Sequence, residues 1–90
     1  MKKITMFHMA SCPHCKRALR WMDELFSENE AYRSLEIQMI DEIIKPDIAK
    51  EYDYYYVPAY YVDGDKLHEG AASLERIRQV FDAALEQGSA

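Results

Sequence analysis

The chain has 90 residues, 49% of them hydrophobic and 30% charged, a composition that predicts one globular domain over residues 1–90. The net charge of −5 argues against nucleic acids and membranes as partners, because both attract basic surfaces. The sequence shows no apolar run long enough to span a bilayer and no signal-peptide pattern at its start, so we expect a cytoplasmic protein.

The first predicted elements are a strand and a helix joined by a short turn. Apolar side chains point to both sides of the run ITMFHM at positions 4–9, which is typical of an interior strand. Pro13 is favoured at the first position of the helix that follows, where its missing N–H costs nothing. Residues 27–29 end this helix. Its apolar stripe comprises Ala18, Met22, Leu25 and Phe26.

The middle of the chain predicts a second strand and a short helix. Leu35, Ile37 and Met39 alternate with polar residues, as in a half-buried strand at the edge of a sheet. Pro46 then begins a shorter helix that we expect to continue to Tyr52.

The last third predicts a hairpin and a final helix. Two strands, at 58–62 and 66–69, flank a tight turn at 63–65. After a break at 70–72, Ser73 is expected to cap the helix. The apolar face of that helix comprises Leu74, Ile77, Phe81, Ala84 and Leu85, and residues 88–90 are expected to form a frayed end.

The predicted order of elements is therefore βαβαββα, an α/β arrangement. A strand–helix–strand unit predicts a right-handed parallel pair, whereas the tight hairpin must be antiparallel. We expect one mixed sheet of four strands with helices on both faces.

Cys12 and Cys15 are the only cysteines, and they flank the predicted start of the first helix. A structural disulfide is disfavoured, because a reducing cytosol opposes it and so short a loop gains little stability from closure. At the N-cap, the Cys12 sulfur faces free backbone N–H groups and the positive end of the helix dipole, which favour the thiolate. His14, if protonated, and the nearby Lys16 and Arg17 would add to this effect.

These positions predict different roles for the two thiols. Cys12 attacks a substrate disulfide as the thiolate, and Cys15, one turn further along and more buried, resolves the mixed disulfide. Two alternatives stay open. The pair could bind a metal, either zinc with the histidines His8, His14 and His68 or an iron–sulfur cluster shared across a dimer. It could also switch an interaction surface by oxidation.

Over nearly its whole length, from Ile4 to about Leu85, the chain resembles glutaredoxins and, more broadly, small oxidoreductases with the thioredoxin-like fold. The residues that carry this resemblance are Cys12-Pro13-His14-Cys15, Val57-Pro58 and Gly70. The resemblance implies that Pro58 is cis, lies against the active-site disulfide and leaves the Val57 backbone free to bind an extended substrate.

The resemblance also implies where substrates bind and which substrates to expect. The expected binding residues are Tyr56, Val57, Pro58, Gly70 and Ala71. Met9, Tyr56 and Ala71 depart from the glutathione-binding pattern of glutaredoxins. We therefore expect either glutathione as a co-substrate or a protein disulfide with a thioredoxin-reductase-like donor, in a monomer without a tightly bound cofactor.

The two residues between the cysteines resemble those of strongly oxidising periplasmic oxidases. Pro13 and His14 are therefore predicted to tune Cys12 to a low pKa, and a stabilised thiolate makes the disulfide more oxidising than that of thioredoxin.

Overall fold

The computed structural model describes residues 2–86. The strands are β1 (Ile4–His8), β2 (Ile37–Asp41), β3 (Ala59–Val62) and β4 (Asp65–Glu69), and the helices are α1 (Pro13–Glu28), α2 (Pro46–Ala49) and α3 (Leu74–Leu85). This order confirms the predicted βαβαββα sequence, with a 3-10 helix (Glu30–Ser34) added between α1 and β2. The expected frayed end at residues 88–90 lies outside the described residues, and the domain limits of 1–90 stay a prediction.

The four strands form one mixed sheet in the order β2-β1-β3-β4. β1 and β2 run parallel, with Ile4 opposite Ile37, whereas β3 is antiparallel to both β1 and β4. The C-terminal ends of β1, β2 and β4 therefore lie at the same end of the sheet as the start of β3. This topology gathers four loops, at 9–12, 42–45, 53–58 and 70–73, at one end of the molecule.

Both faces of the sheet are covered, as predicted. On one face, α1 and α3 pack onto the sheet through side chains that include Leu25 and Phe81, both fully buried. On the other face, Phe7 and Tyr61 pack beneath the short helix α2 and the tyrosines that follow it. Among residues 2–86, no helix has the length and hydropathy needed to cross a membrane.

Strand β2 lies at the edge of the sheet, as predicted, but its exposed and buried residues differ from the prediction. Met39 is 43% exposed, whereas Ile40 is only 3% exposed and packs in the layer under α2. Met39 points to the opposite face of the sheet from Ile40, and it is exposed because α1 covers only part of that face. It lines a groove of about 400 Å³ together with Met22 and Phe26 of α1.

Two local features adjust the predicted boundaries. Helix α2 ends at Ala49, so Tyr52 lies beyond it, although its ring packs against Phe7 with a centroid distance of 4.7 Å. The hairpin turn has positive φ at Asp63 (48°) and Gly64 (89°), the conformation that matches the twist of the flanking strands.

Candidate active site

The turn after β1 places Cys12 at the start of α1. The Cys12 N–H donates to the Met9 carbonyl oxygen at 3.2 Å, and Cys12 itself has the extended backbone of an N-cap (φ −82°, ψ 119°). Pro13 follows at the first helical position, as predicted, and the Lys16 N–H closes the first turn on the Cys12 carbonyl oxygen. The backbone thus directs the Cys12 side chain toward the free N–H groups of the helix.

The surroundings of Cys12 lower the pKa of its thiol. Burial is the largest single influence and raises the pKa, since the side chain is only 8% exposed. The backbone N–H and thiol of Cys15, the His14 N–H and the Arg17 charge together outweigh burial. No capping hydrogen bond of regular geometry reaches the sulfur. Cys12 is therefore more buried than the sequence suggested.

The side chain of His14 contacts Arg17. An Arg17 guanidinium nitrogen lies 2.5 Å from His14 Nδ1, and because a guanidinium only donates, Nδ1 must accept. His14 acts on Cys12 through its backbone N–H, and Arg17 supplies the cation.

Cys15 is the more buried of the two thiols, as predicted. It is 1% exposed, and burial is the main reason that its pKa rises to about 12. The neighbouring Cys12 and the carboxylate of Glu42 raise it further, against a lowering hydrogen bond at the backbone of Met9. Cys12 therefore ionises at a lower pH than Cys15. Both cysteines are free in this structure.

The segment around Pro58 lies directly beside Cys12. The Val57–Pro58 bond is cis, which confirms what the resemblance implied, and Pro58 is fully buried. Cys12 Sγ lies 4.0 Å from the Val57 carbonyl oxygen. The Val57 carbonyl group and the Cys12 sulfur are thus neighbours.

The remaining predicted binding residues lie beside this segment. The Gly70 N–H donates to the Pro58 carbonyl oxygen at 3.0 Å, and Gly70 has a φ of 89°. A side chain at this position would lie 3.7 Å from Cβ of Tyr56, whose own side chain is 68% exposed. Ala71 follows in the exposed turn before α3. The segment from Tyr56 to Pro58 therefore packs against Gly70.

The sequence reasoning missed two carboxylates of this region. Glu42 follows β2 at the same end of the sheet as the cysteines. Its Oε1 accepts a hydrogen bond from the Tyr54 hydroxyl at 2.6 Å. Glu69 ends β4 opposite Ala59, and its Oε2 accepts hydrogen bonds from the loop before Val57. Strand register was the signal available for Glu69, because pairing β3 with β4 places residue 69 next to the start of β3.

The described residues give no support to a metal site. Across residues 2–86, no group of three or more His, Cys, Asp or Glu side chains is arranged to bind one ion. Of the histidines considered from the sequence, His68 places its Nε2 2.9 Å from the Gly70 carbonyl oxygen. Because a carbonyl oxygen only accepts, Nε2 donates and carries a proton there.

Comparison with known proteins places these features in context. The sequence profile described as "Thioredoxin domain" (Thioredoxin_3) matches residues 2–82. A thioredoxin of Methanocaldococcus jannaschii is 33% identical over 83 residues, which cover 92% of this chain and 95% of that protein. A probable thioredoxin of Methanothermobacter thermautotrophicus is 28% identical over 83 residues, with the same coverage.

A solved structure agrees in fold. The oxidised thioredoxin of Plasmodium falciparum superposes with a TM-score of 0.71 at 16% identity, covering 94% of this chain and 82% of that one. At this identity the likeness concerns the fold alone, and it matches the four-stranded mixed sheet described above.

Proposed function

The chain belongs to the thioredoxin domain family and is a thiol–disulfide oxidoreductase, and we propose that Cys12 is its attacking thiol and Cys15 its resolving thiol. The resemblance to small thioredoxin-fold oxidoreductases is thus confirmed, and the matched relatives are thioredoxins. The observation that carries the proposal is the opposite shift of two neighbouring thiols, with the pKa of Cys12 lowered and that of Cys15 raised to about 12.

The proposed reaction begins with the Cys12 thiolate. It attacks one sulfur of a substrate disulfide, forms a mixed disulfide and releases the other substrate sulfur as a thiolate, which takes up a proton. Cys15 then loses its proton and attacks the Cys12 sulfur, which releases the second substrate thiol. The substrate gains two electrons, and Cys12 and Cys15 become a disulfide. A dithiol donor must then reduce that disulfide.

A protein disulfide is the substrate class that the surroundings of Cys12 support best. Tyr55 and Tyr56 expose 83% and 68% of their surface beside Val57, and an extended peptide could pack on these rings while pairing with the Val57 backbone. Glutathione and a thioredoxin-reductase-like protein are the two candidate donors. Monomeric state, cytoplasmic location and the lack of a tightly bound cofactor stay predictions.

Replacing each cysteine separately tests the proposed roles. We expect Cys12→Ser to abolish reduction of a disulfide-bonded protein, because no other thiol is ionised near neutral pH. We expect Cys15→Ser to accumulate a mixed disulfide at Cys12, because the resolving thiol is missing. Mass spectrometry under non-reducing conditions detects this adduct and identifies the trapped partner.

The wild-type chain should turn over when supplied with a donor, and comparing glutathione plus glutathione reductase with a thioredoxin reductase identifies which donor it uses. An adduct on Cys15 in the Cys12→Ser variant, with none on Cys12 in the Cys15→Ser variant, would reverse the proposed roles. An inactive wild-type chain with both donors would refute the function itself.

A further inference from the structure

The carboxylate of Glu69 binds the backbone immediately before the Val57–Pro58 segment. Its Oε2 accepts hydrogen bonds from the N–H groups of Tyr55 at 2.9 Å and Tyr56 at 3.2 Å. These are two consecutive peptide groups of a loop that forms neither helix nor strand. One side chain, at the end of strand β4, therefore satisfies both donors.

A second residue of the hairpin secures the other end of this loop. Lys66 Nζ donates to Glu69 Oε1 at 2.5 Å and to the Asp53 carbonyl oxygen at 3.1 Å. The Tyr61 hydroxyl donates to the same Asp53 oxygen at 2.8 Å. The loop 53–56 is thus attached at both ends to the hairpin of β3 and β4.

The charge of Glu69 suits this role. The hydrogen bond from Lys66 and those from the two tyrosine N–H groups hold the pKa of the carboxyl below its usual range. The carboxylate is therefore ionised near neutral pH, and hydrogen bonds to a charged acceptor are stronger than those between neutral groups.

Packing alone does not account for the conformation of this loop. The rings of Tyr55 and Tyr56 are mostly exposed, so apolar burial contributes little to holding them. The next residue, Val57, has its carbonyl oxygen 4.0 Å from Cys12 Sγ. A change in the loop would therefore alter what a substrate meets beside the reactive sulfur.

We propose that Glu69 is a positioning residue that fixes the backbone of Tyr55 and Tyr56, so that their rings and the Val57 backbone are presented to the peptide chain around a substrate disulfide. This inference rests on the proposed function and names a determinant of its substrate class. A small disulfide needs only the Cys12 sulfur, whereas a peptide also contacts the loop. Glu69 therefore sets the preference for peptide over small disulfides.

The test compares kcat/KM for a disulfide-bonded peptide and for a small aromatic disulfide in the same variants. We expect Glu69→Ala to lower the ratio of the two values about tenfold, through a higher KM for the peptide, because the loop loses its charged anchor. Glu69→Gln keeps the volume and one acceptor oxygen, and its ratio should lie between those of wild type and Glu69→Ala.

Glu75→Ala is the matched control, since Glu75 is an exposed carboxylate of α3 that pairs with Arg78 instead. It should leave the ratio at the wild-type value. Amide hydrogen exchange gives a second readout: the Tyr55 and Tyr56 N–H groups should be protected in wild type and exchange faster in Glu69→Ala.

An active wild-type chain whose ratio is unchanged in Glu69→Ala would overturn this inference and leave the proposed function standing. Equal losses with both substrates would also overturn it, because they would indicate general damage to the fold. A wild-type chain that reduces neither disulfide would overturn the function and the inference together.

Discussion

Cys12 and Cys15 carry the same thiol group, yet their surroundings shift the two pKa values in opposite directions. The difference arises over a single turn of helix. Cys12 precedes the turn and faces its free N–H groups, whereas Cys15 lies inside it and is almost completely buried. A division of labour between two identical groups therefore follows from their positions on the helix together with the burial of Cys15.

Arg17 is the cation that helps to lower the pKa of Cys12, which makes it a suitable residue for a test. We expect Arg17→Gln to raise that pKa only slightly, because an exposed charge acts through water. The pH profile of Cys12 alkylation measures this pKa. A thiol is unreactive when the pH lies below its pKa, so the profile of the variant should shift to higher pH.

Lys16→Gln is the matched control, since Lys16 is the neighbouring exposed cation. Its profile should coincide with that of wild type, whose midpoint should lie below the value of about 8.5 for free cysteine. A wild-type midpoint at or above that value would contradict the lowered pKa. The same stabilised thiolate leads us to expect a reduction potential above the value of about −270 mV for thioredoxin.

At the scale of elements, helix α3 shows how a single cap defines an end. The Ser73 side chain accepts a hydrogen bond from the Arg76 N–H at 3.1 Å, which satisfies one of the free donors of the first turn. The sequence was sufficient to predict this cap, because serine before an apolar periodic run is a local signal.

Removing this cap should destabilise the protein by about 1 kcal/mol, because Ser73→Ala leaves the N–H without its side-chain acceptor. Urea unfolding of the reduced protein measures the loss. Ser27→Ala is the control, since Ser27 is exposed in the last turn of α1, and this variant should be neutral or slightly stabilising. Equal stability of the two variants would argue against a capping role.

Elements without a local period were the ones that the sequence did not reveal. The 3-10 helix at Glu30–Ser34 is five residues long and buries only Tyr32, whose hydroxyl donates to Asp82 of α3 at 2.6 Å. Likewise, the alternation of apolar and polar residues in β2 places Met39 on the face that α1 covers. Its exposure depends on how far α1 extends over the edge of the sheet. Periodicity indicates which side chains share a face and not what covers that face.

At the scale of the whole molecule, the sheet depends on the layer beneath α1 and α3. Leu25 is fully buried there, so we expect Leu25→Ala to cost about 2–5 kcal/mol through lost burial and the cavity left behind. Leu67→Ala, at a β4 position that is 40% exposed, should cost much less. Urea unfolding with unchanged m-values measures both, and similar losses would contradict the assigned core.

The sequence by itself determined the order of the elements and the position of a Cys-Pro-His-Cys motif at the start of a helix. Both depend on local information: apolar periodicity, proline at the first helical position and glycine in a turn. The opposite shifts of the Cys12 and Cys15 pKa values could also be predicted, because positions one turn apart at the start of a helix have fixed relative geometry.

Only the tertiary structure decided which distant groups surround that motif. The strand order β2-β1-β3-β4 places the Val57 carbonyl oxygen 4.0 Å from Cys12 Sγ and brings Glu42 close enough to influence Cys15. It also lets Glu69 hold the loop before Val57. These contacts join residues more than ten positions apart in the sequence. Strand pairing and register determine which distant residues come into contact, and no local sequence pattern encodes them.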